Sequence, residues 1–168
     1  MPSQKTIEAA ACEFFFEAML AGYASSAKPE VHPVFPGWKQ ILYSKSPFTL
    51  EDAWCGEGGN THIYYMGHLV WVMRYRGSYS KEHGVIPLMK AALYESYSHG
   101  NFTGGRGPQD FTLDGTKRYI NNWRGRGFSS FWGREVIFDL HRDAGEQSFG
   151  EHTYSGMLVI VPPDMILP

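Results

Sequence analysis

Only two cysteines, Cys12 and Cys55, occur in the 168 residues. They lack Cys-x-x-Cys spacing and no histidine pair stands at zinc-finger separation, so two free thiols and no structural zinc are expected. Long apolar runs are missing too. The longest near the start, Ile7 to Ala24, is broken by Glu8, Glu13 and Glu17 and carries no basic leader, which excludes a signal peptide or membrane span there. A soluble, cytoplasmic chain with no membrane partner is expected. Charge of one sign is scarce: 15 Lys and Arg face 17 Asp and Glu, a net charge of -2. That balance argues against a whole-domain electrostatic footprint for nucleic acid or an anionic membrane. No phosphate-binding loop, Gly-x-Ser-x-Gly elbow or nucleophile beside a base is found. No catalytic residue, cofactor or metal is therefore assigned, and an uncharacterised enzyme ranks third among the readings below.

What is present is a core's worth of apolar and aromatic side chains, 43% hydrophobic and 15% aromatic, which suits one folded domain over 1–168. Ile7, Ala10, Ala11, Phe14, Phe15, Ala18 and Ala21 recur at helical spacing and predict a helix over 4–24, with Ser3 as N-cap. Val85, Leu88, Met89, Ala92 and Leu93 predict a second over Val85 to Ser98, with Pro87 in its first turn and Gly100 as its stop. Elsewhere the period is two. Thr61 to Tyr65 and His68 to Arg76 flank Met66-Gly67 as a hairpin, and further strands are expected at Gln40 to Ser44, Phe48 to Ala53, Lys117 to Trp123, Arg134 to His141 and Glu151 to Val161.

The second half echoes the first. Phe15, Ala18 and Tyr23 stand at one offset from Met89, Ala92 and Tyr97, and Gly59 and Ile63 stand at the same offset from Gly133 and Ile137. Tyr75-Arg76-Gly77 returns as Tyr154-Ser155-Gly156 after a short insertion, placed at Asp143 to Gln147. These echoes predict an α+β fold: a mainly antiparallel sheet covered on one side by two helices, built as two pseudo-twofold helix-plus-meander repeats at 4–80 and 81–161, with 162–168 an extended tail.

Gly67 to Gly77, Phe102 with Gly105-Arg106-Gly107-Pro108, Tyr119-Ile120-Asn121, Phe131 to Ile137 and Tyr154-Ser155-Gly156 resemble a small uncharacterised family of domains of unknown function, family 5680. Its bacterial members are often joined to a helix-turn-helix segment, so the resemblance implies a sensor or accessory module and transfers no activity. The chain departs from the family at Thr61, where a carboxylate is common, and at Arg74.

Alternation about the Met66-Gly67 turn puts His62, Tyr64, Leu69, Trp71, Met73 and Tyr75 on the helix-facing side and Thr61, Ile63, Tyr65, Val70, Val72 and Arg74 on the other. The second copy's core face would hold Val136, Phe138, His152 and Tyr154. Parity leaves Glu135 off that face unless a bulge at Gly133 re-aims it. Trp54, Trp71, Tyr75, Tyr119, Glu135 and Tyr154 are the candidate site residues. They read either as packed core or as the walls of a cleft between the repeats that takes an aromatic or cationic small molecule, with Glu135 supplying charge balance. A non-catalytic ligand-binding or regulatory module is the favoured reading. The alternative is a nucleic-acid-binding or protein-interaction domain using residues 117–128, where four cations interleave with Tyr119, Trp123 and Phe128. Asp139-x-His141-x-Asp143 could offer three side chains from one strand face, but no further ligand is identified and a solvated strand end is preferred. Gly104-Gly105-Arg106-Gly107-Pro108 reads as a turn, because it precedes a strand instead of a helix.

Overall fold

Helical spacing of apolar residues and period-two alternation each produce the element they predict. The computed structural model describes residues 4–22, 24, 27–113, 115–140 and 148–159. The order is α1 (Gln4–Ala21), β1 (Glu30–Val31), β2 (Lys39–Lys45), β3 (Phe48–Cys55), β4 (Gly58–Tyr65), β5 (His68–Tyr79), α2 (Val85–Ser98), β6 (Asp110–Thr112), β7 (Lys117–Gly125), β8 (Ser130–Asp139) and β9 (Ser148–Leu158). A single 3-10 turn, Gly127–Ser129, precedes β8. The fold is α+β, with one antiparallel nine-stranded sheet in the order β1-β2-β3-β4-β5-β9-β8-β7-β6. The last strand of each half thus lies at the sheet's centre, where β5 pairs β9.

The core is the layer between helices and sheet. α1 packs on β2 and β3, α2 packs on β6 and β7, and the helices touch each other. Phe15 meets Trp71, Tyr97, Phe102 and Phe128, so one α1 ring contacts both halves. Trp71 is fully buried, its ring stacked 4.8 Å from Phe128 at 7° and its indole N–H donating to the Phe128 carbonyl at 2.9 Å.

Several expectations need correction. The first helix stops at Ala21 instead of continuing to 24, and β1, β6 and the 3-10 turn were too short to leave a periodic signal. In the first hairpin the inward residues are Thr61 and Ile63, not His62 and Tyr64, although Trp71, Met73 and Tyr75 do face the helices. The physical cause is a bulge: Ile63 pairs Trp71 and Tyr64 pairs Leu69, leaving Val70 extra and reversing the parity carried through the turn. In β8 the inward set is Phe131, Gly133, Glu135 and Ile137, not Val136 and Phe138. The register is regular through Gly133 and shifts only between Ile137 and Phe138, so Glu135 faces inward without a bulge at the glycine. Ser3, Tyr23, His141, Asp143, the insertion at 143–147 and the tail at 162–168 lie outside the described residues.

Trp71→Ala is expected to cost about 3–5 kcal/mol by leaving an indole-sized cavity. Urea denaturation checks this, and a loss below about 1 kcal/mol would contradict its central place in the core.

Candidate functional site

Six strands contribute one residue each to a palindromic row on the helix side. The register runs Trp54, Gly59, Tyr75, Tyr154, Gly133, Trp123 across β3, β4, β5, β9, β8 and β7. Each tyrosine leans outward over its neighbouring glycine. A Cβ on Gly59 would stand 2.6 Å from the Tyr75 hydroxyl, and one on Gly133 would collide with the Tyr154 hydroxyl, so both positions require glycine for close approach. Crossing the glycine lets each tyrosine reach the second strand out. Tyr75 donates to Asp52 Oδ1 at 3.1 Å, and Tyr154 donates to Asn121 Oδ1.

Next to this row lies a buried ionic network. Glu135 is fully buried and receives Arg106 through Nε at 3.0 Å and through Nη2, the Tyr119 hydroxyl, and a contact from His152 Nδ1 at 3.2 Å. Burial alone pushes the Glu135 carboxyl upward, but the Arg106 charge and the hydrogen bonds from His152 and Arg106 outweigh it and hold the group at about 2. Burial likewise opposes the Arg106 charge, and Glu135 keeps it protonated. Asp52 has the opposite balance. It is buried, and desolvation raises its carboxyl above the ordinary 3.8 despite hydrogen bonds from Thr61 and Tyr75 and the Arg106 charge.

Between α1, α2 and the β3–β5 part of the sheet is a cavity of about 250 Å³. Its apolar wall is Met19, Trp54, Ile86 and Met89; Glu57 and Lys81 stand along it, and Asp52, Tyr75, Tyr79, Arg106 and His152 bring polar groups. Arg106 also lies over the Tyr75 ring, 5.4 Å from its centroid. Tyr79 is only 5% exposed, and its hydroxyl has no hydrogen-bond partner among the described residues. Burial, the Glu135 charge and the hydroxyl's approach to the Glu135 carboxylate push its pKa well up, so it stays neutral. A larger groove of about 540 Å³ opens on the other side of the sheet along Trp38, Asn60, Arg74 and Arg76. It is bordered by exposed arginines, without the converging buried polar groups of the cavity.

Of the six candidate residues, Trp54 and Tyr75 line the cavity. Glu135 and Tyr119 stand behind Arg106, Tyr154 is engaged by Asn121, and Trp71 belongs to the aromatic core. Residues not singled out are Asp52, Tyr79, Arg106 and His152. A signal existed for Asp52, since Asp52 and Trp54 alternate in a strand; Arg106 gave none beyond its glycines. In the basic-aromatic stretch, Tyr119 and Phe128 are buried and Trp123 packs on the core. Arg118 pairs with Asp110, while Lys117 and Arg124 lie over Phe149 and Trp132. Among the described residues no group of three or more His, Cys, Asp or Glu could hold a metal, and no helix is long and apolar enough to cross a membrane.

Glu135→Gln should cost about 3–5 kcal/mol, because Arg106 is left buried without its partner. Arg106→Met together with Glu135→Gln should cost less than the two single changes added, as a double-mutant cycle in urea would measure. The Glu135 group is depressed on folding, so its stabilisation is present above the ordinary 4.5 and is lost as pH falls toward about 2. Asp52 is raised, so its ionised form costs stability above 3.8. Asp52→Asn keeps an oxygen for both hydroxyl donors and should raise stability at pH 7, as urea denaturation would measure, a gain that vanishes below the ordinary carboxylate range. No family model, curated protein or solved structure matches the chain, so only the site's own chemistry bears on function.

Proposed function

We propose that the chain is a non-catalytic small-molecule-binding or regulatory module whose ligand occupies the cavity between α1, α2 and β3–β5. The observation that carries this reading is the convergence of Asp52, Tyr75, Arg106 and His152 on one cavity with an apolar wall, the buried Tyr79 beside them. The walls suit an organic ligand, since Trp54 and Tyr75 offer ring surface and Met19 and Met89 offer adaptable packing. At about 250 Å³ the space lies near the lower edge of the ~300–1,000 Å³ range of small-molecule sites. The cleft imagined between the repeats is thereby relocated to one side of the palindromic row, and Asp52 replaces Glu135 as the carboxylate that faces the ligand.

An unbiased thermal-shift screen, followed by ligand-observed NMR, tests this reading. A ligand present at 100 times its Kd should stabilise the wild type by about 2.7 kcal/mol. Ile86 is partly exposed on the cavity wall, so Ile86→Trp should fill the space, preserve folding and abolish the shift. A screen without hits, or equal binding by Ile86→Trp, would overturn it.

A further inference from the structure

The two sides of the palindromic row carry the same side chains but are covered differently. On the β7–β8–β9 side, Trp123, Tyr154 and Asn121 are covered by the protein's own segment 102–107. Phe102 packs edge-on against Trp123 at 6.1 Å, and a Cβ on Gly104 would lie 2.8 Å from the Tyr154 ring. Asn121 Nδ2 donates to the Thr103 carbonyl at 2.9 Å and to the Gly107 carbonyl at 2.7 Å. On the β3–β4–β5 side, Trp54, Tyr75 and Asp52 stand at the matching register positions, and above them is the cavity.

The reason for the difference is the path of the two connections. The segment after α2 crosses the inner face. The segment before β2 is held on the outer face, where His32 Nε2 sits 3.5 Å from Glu51 and Trp38 lines the outer groove. Val34 N and Phe35 N both donate to His32 Nδ1 at 3.1 Å, which fixes that loop and leaves Nε2 as the nitrogen facing Glu51.

We infer that the cavity takes the place that segment 102–107 fills on the other side, and that its ligand carries an N–H-rich cationic head, an ammonium or amidinium, on a flat apolar body. The inference rests on the ligand-binding reading above and specifies its chemistry. Where Asn121 donates N–H groups to carbonyls, Asp52 presents a carboxylate that already accepts from Thr61 at 3.0 Å and Tyr75 at 3.1 Å. The complementary group therefore changes from acceptor to donor. The charge balance agrees: Lys81 and Glu57 along the cavity offset each other in formal charge, Arg106 is committed to Glu135 through two nitrogens, and the hydrogen bonds Asp52 accepts among the described residues come from the Thr61 and Tyr75 hydroxyls. Trp54 on the cavity wall supplies an indole ring, the kind of surface that attracts a cation, and Arg106 over the Tyr75 ring shows the same preference within the site.

A panel on one ring scaffold tests it: benzylamine, benzamidine, benzamide, benzyl alcohol and benzoate, titrated by ligand-observed NMR into the wild type, Asp52→Asn and Ile86→Trp. Benzylamine and benzamidine should bind the wild type, with benzoate and benzyl alcohol at least about tenfold weaker. Asp52→Asn should weaken both cations by about tenfold or more and favour benzamide, whose carbonyl can accept from the new amide. Ile86→Trp should bind none of them. Benzoate binding as well as the cations, or cations indifferent to Asp52→Asn, would overturn the inference. If Ile86→Trp still abolished that binding, the cavity reading would stand while the ligand class fell. Failure of every panel member to bind the wild type would also overturn the inference, and the unbiased screen then decides the cavity reading separately.

Discussion

A carboxylate with no exposure cannot remain ionised unless charge and hydrogen bonds are brought to it, and Glu135 sets that demand for half of the molecule. Arg106 meets it, and to do so the segment after α2 must turn inward over the sheet. Thr103 supports that turn by donating to the Arg106 and Gly107 carbonyls at 2.8 Å, and Tyr97 donates to the Gly105 carbonyl at 2.9 Å. The Gly107 N–H donates to the Tyr119 hydroxyl at 3.0 Å, which itself donates to Glu135. One buried charge thus fixes the loop, the loop covers one side of the palindromic row, and the other side is left as a cavity.

The second constraint is steric. Tyr75 and Tyr154 are direct cross-strand partners at the junction of the two halves, and each crosses a glycine to reach a polar residue two strands away. A Cβ at Gly59 would stand 2.5 Å from the Ala53 carbonyl oxygen and 2.6 Å from the Tyr75 hydroxyl, so the position must stay glycine for Tyr75 to reach Asp52. The same geometry at Gly133 keeps Tyr154 on Asn121. Sheet register, tyrosine rotamer and site electrostatics are therefore one linked arrangement, in which a slip of one residue would turn Asp52 and Glu135 to the opposite face.

Much of this architecture was legible in the residues. The second helix, the Met66-Gly67 hairpin and the antiparallel class follow from local periodicity, because those signals lie within a few residues of one another. The inward faces of β4 and β8 were not legible, since the Val70 bulge and the irregularity after Ile137 reset parity without a composition cue. Trp54 and Tyr75, singled out for their aromatic rings, line the cavity. Arg106 was missed because its glycine neighbours read as an exposed turn, whereas its burial depends on Glu135, distant in sequence but adjacent in space. Partner identity across such a separation is a property of register, which single-residue patterns do not encode.

The contrast between the two buried acids explains why the cavity can be both costly and retained. Glu135 is satisfied by the chain itself and contributes rigidity. Asp52 is buried with hydroxyl donors and, among the described residues, no cation in direct contact, so its ionised form carries a cost in stability that Glu135 does not. The loop before β2 is held on the outer face through His32 and Glu51, so among the described residues the polar groups at the cavity are positioned by the strands and not covered by that loop, the arrangement on which the proposed ligand site depends.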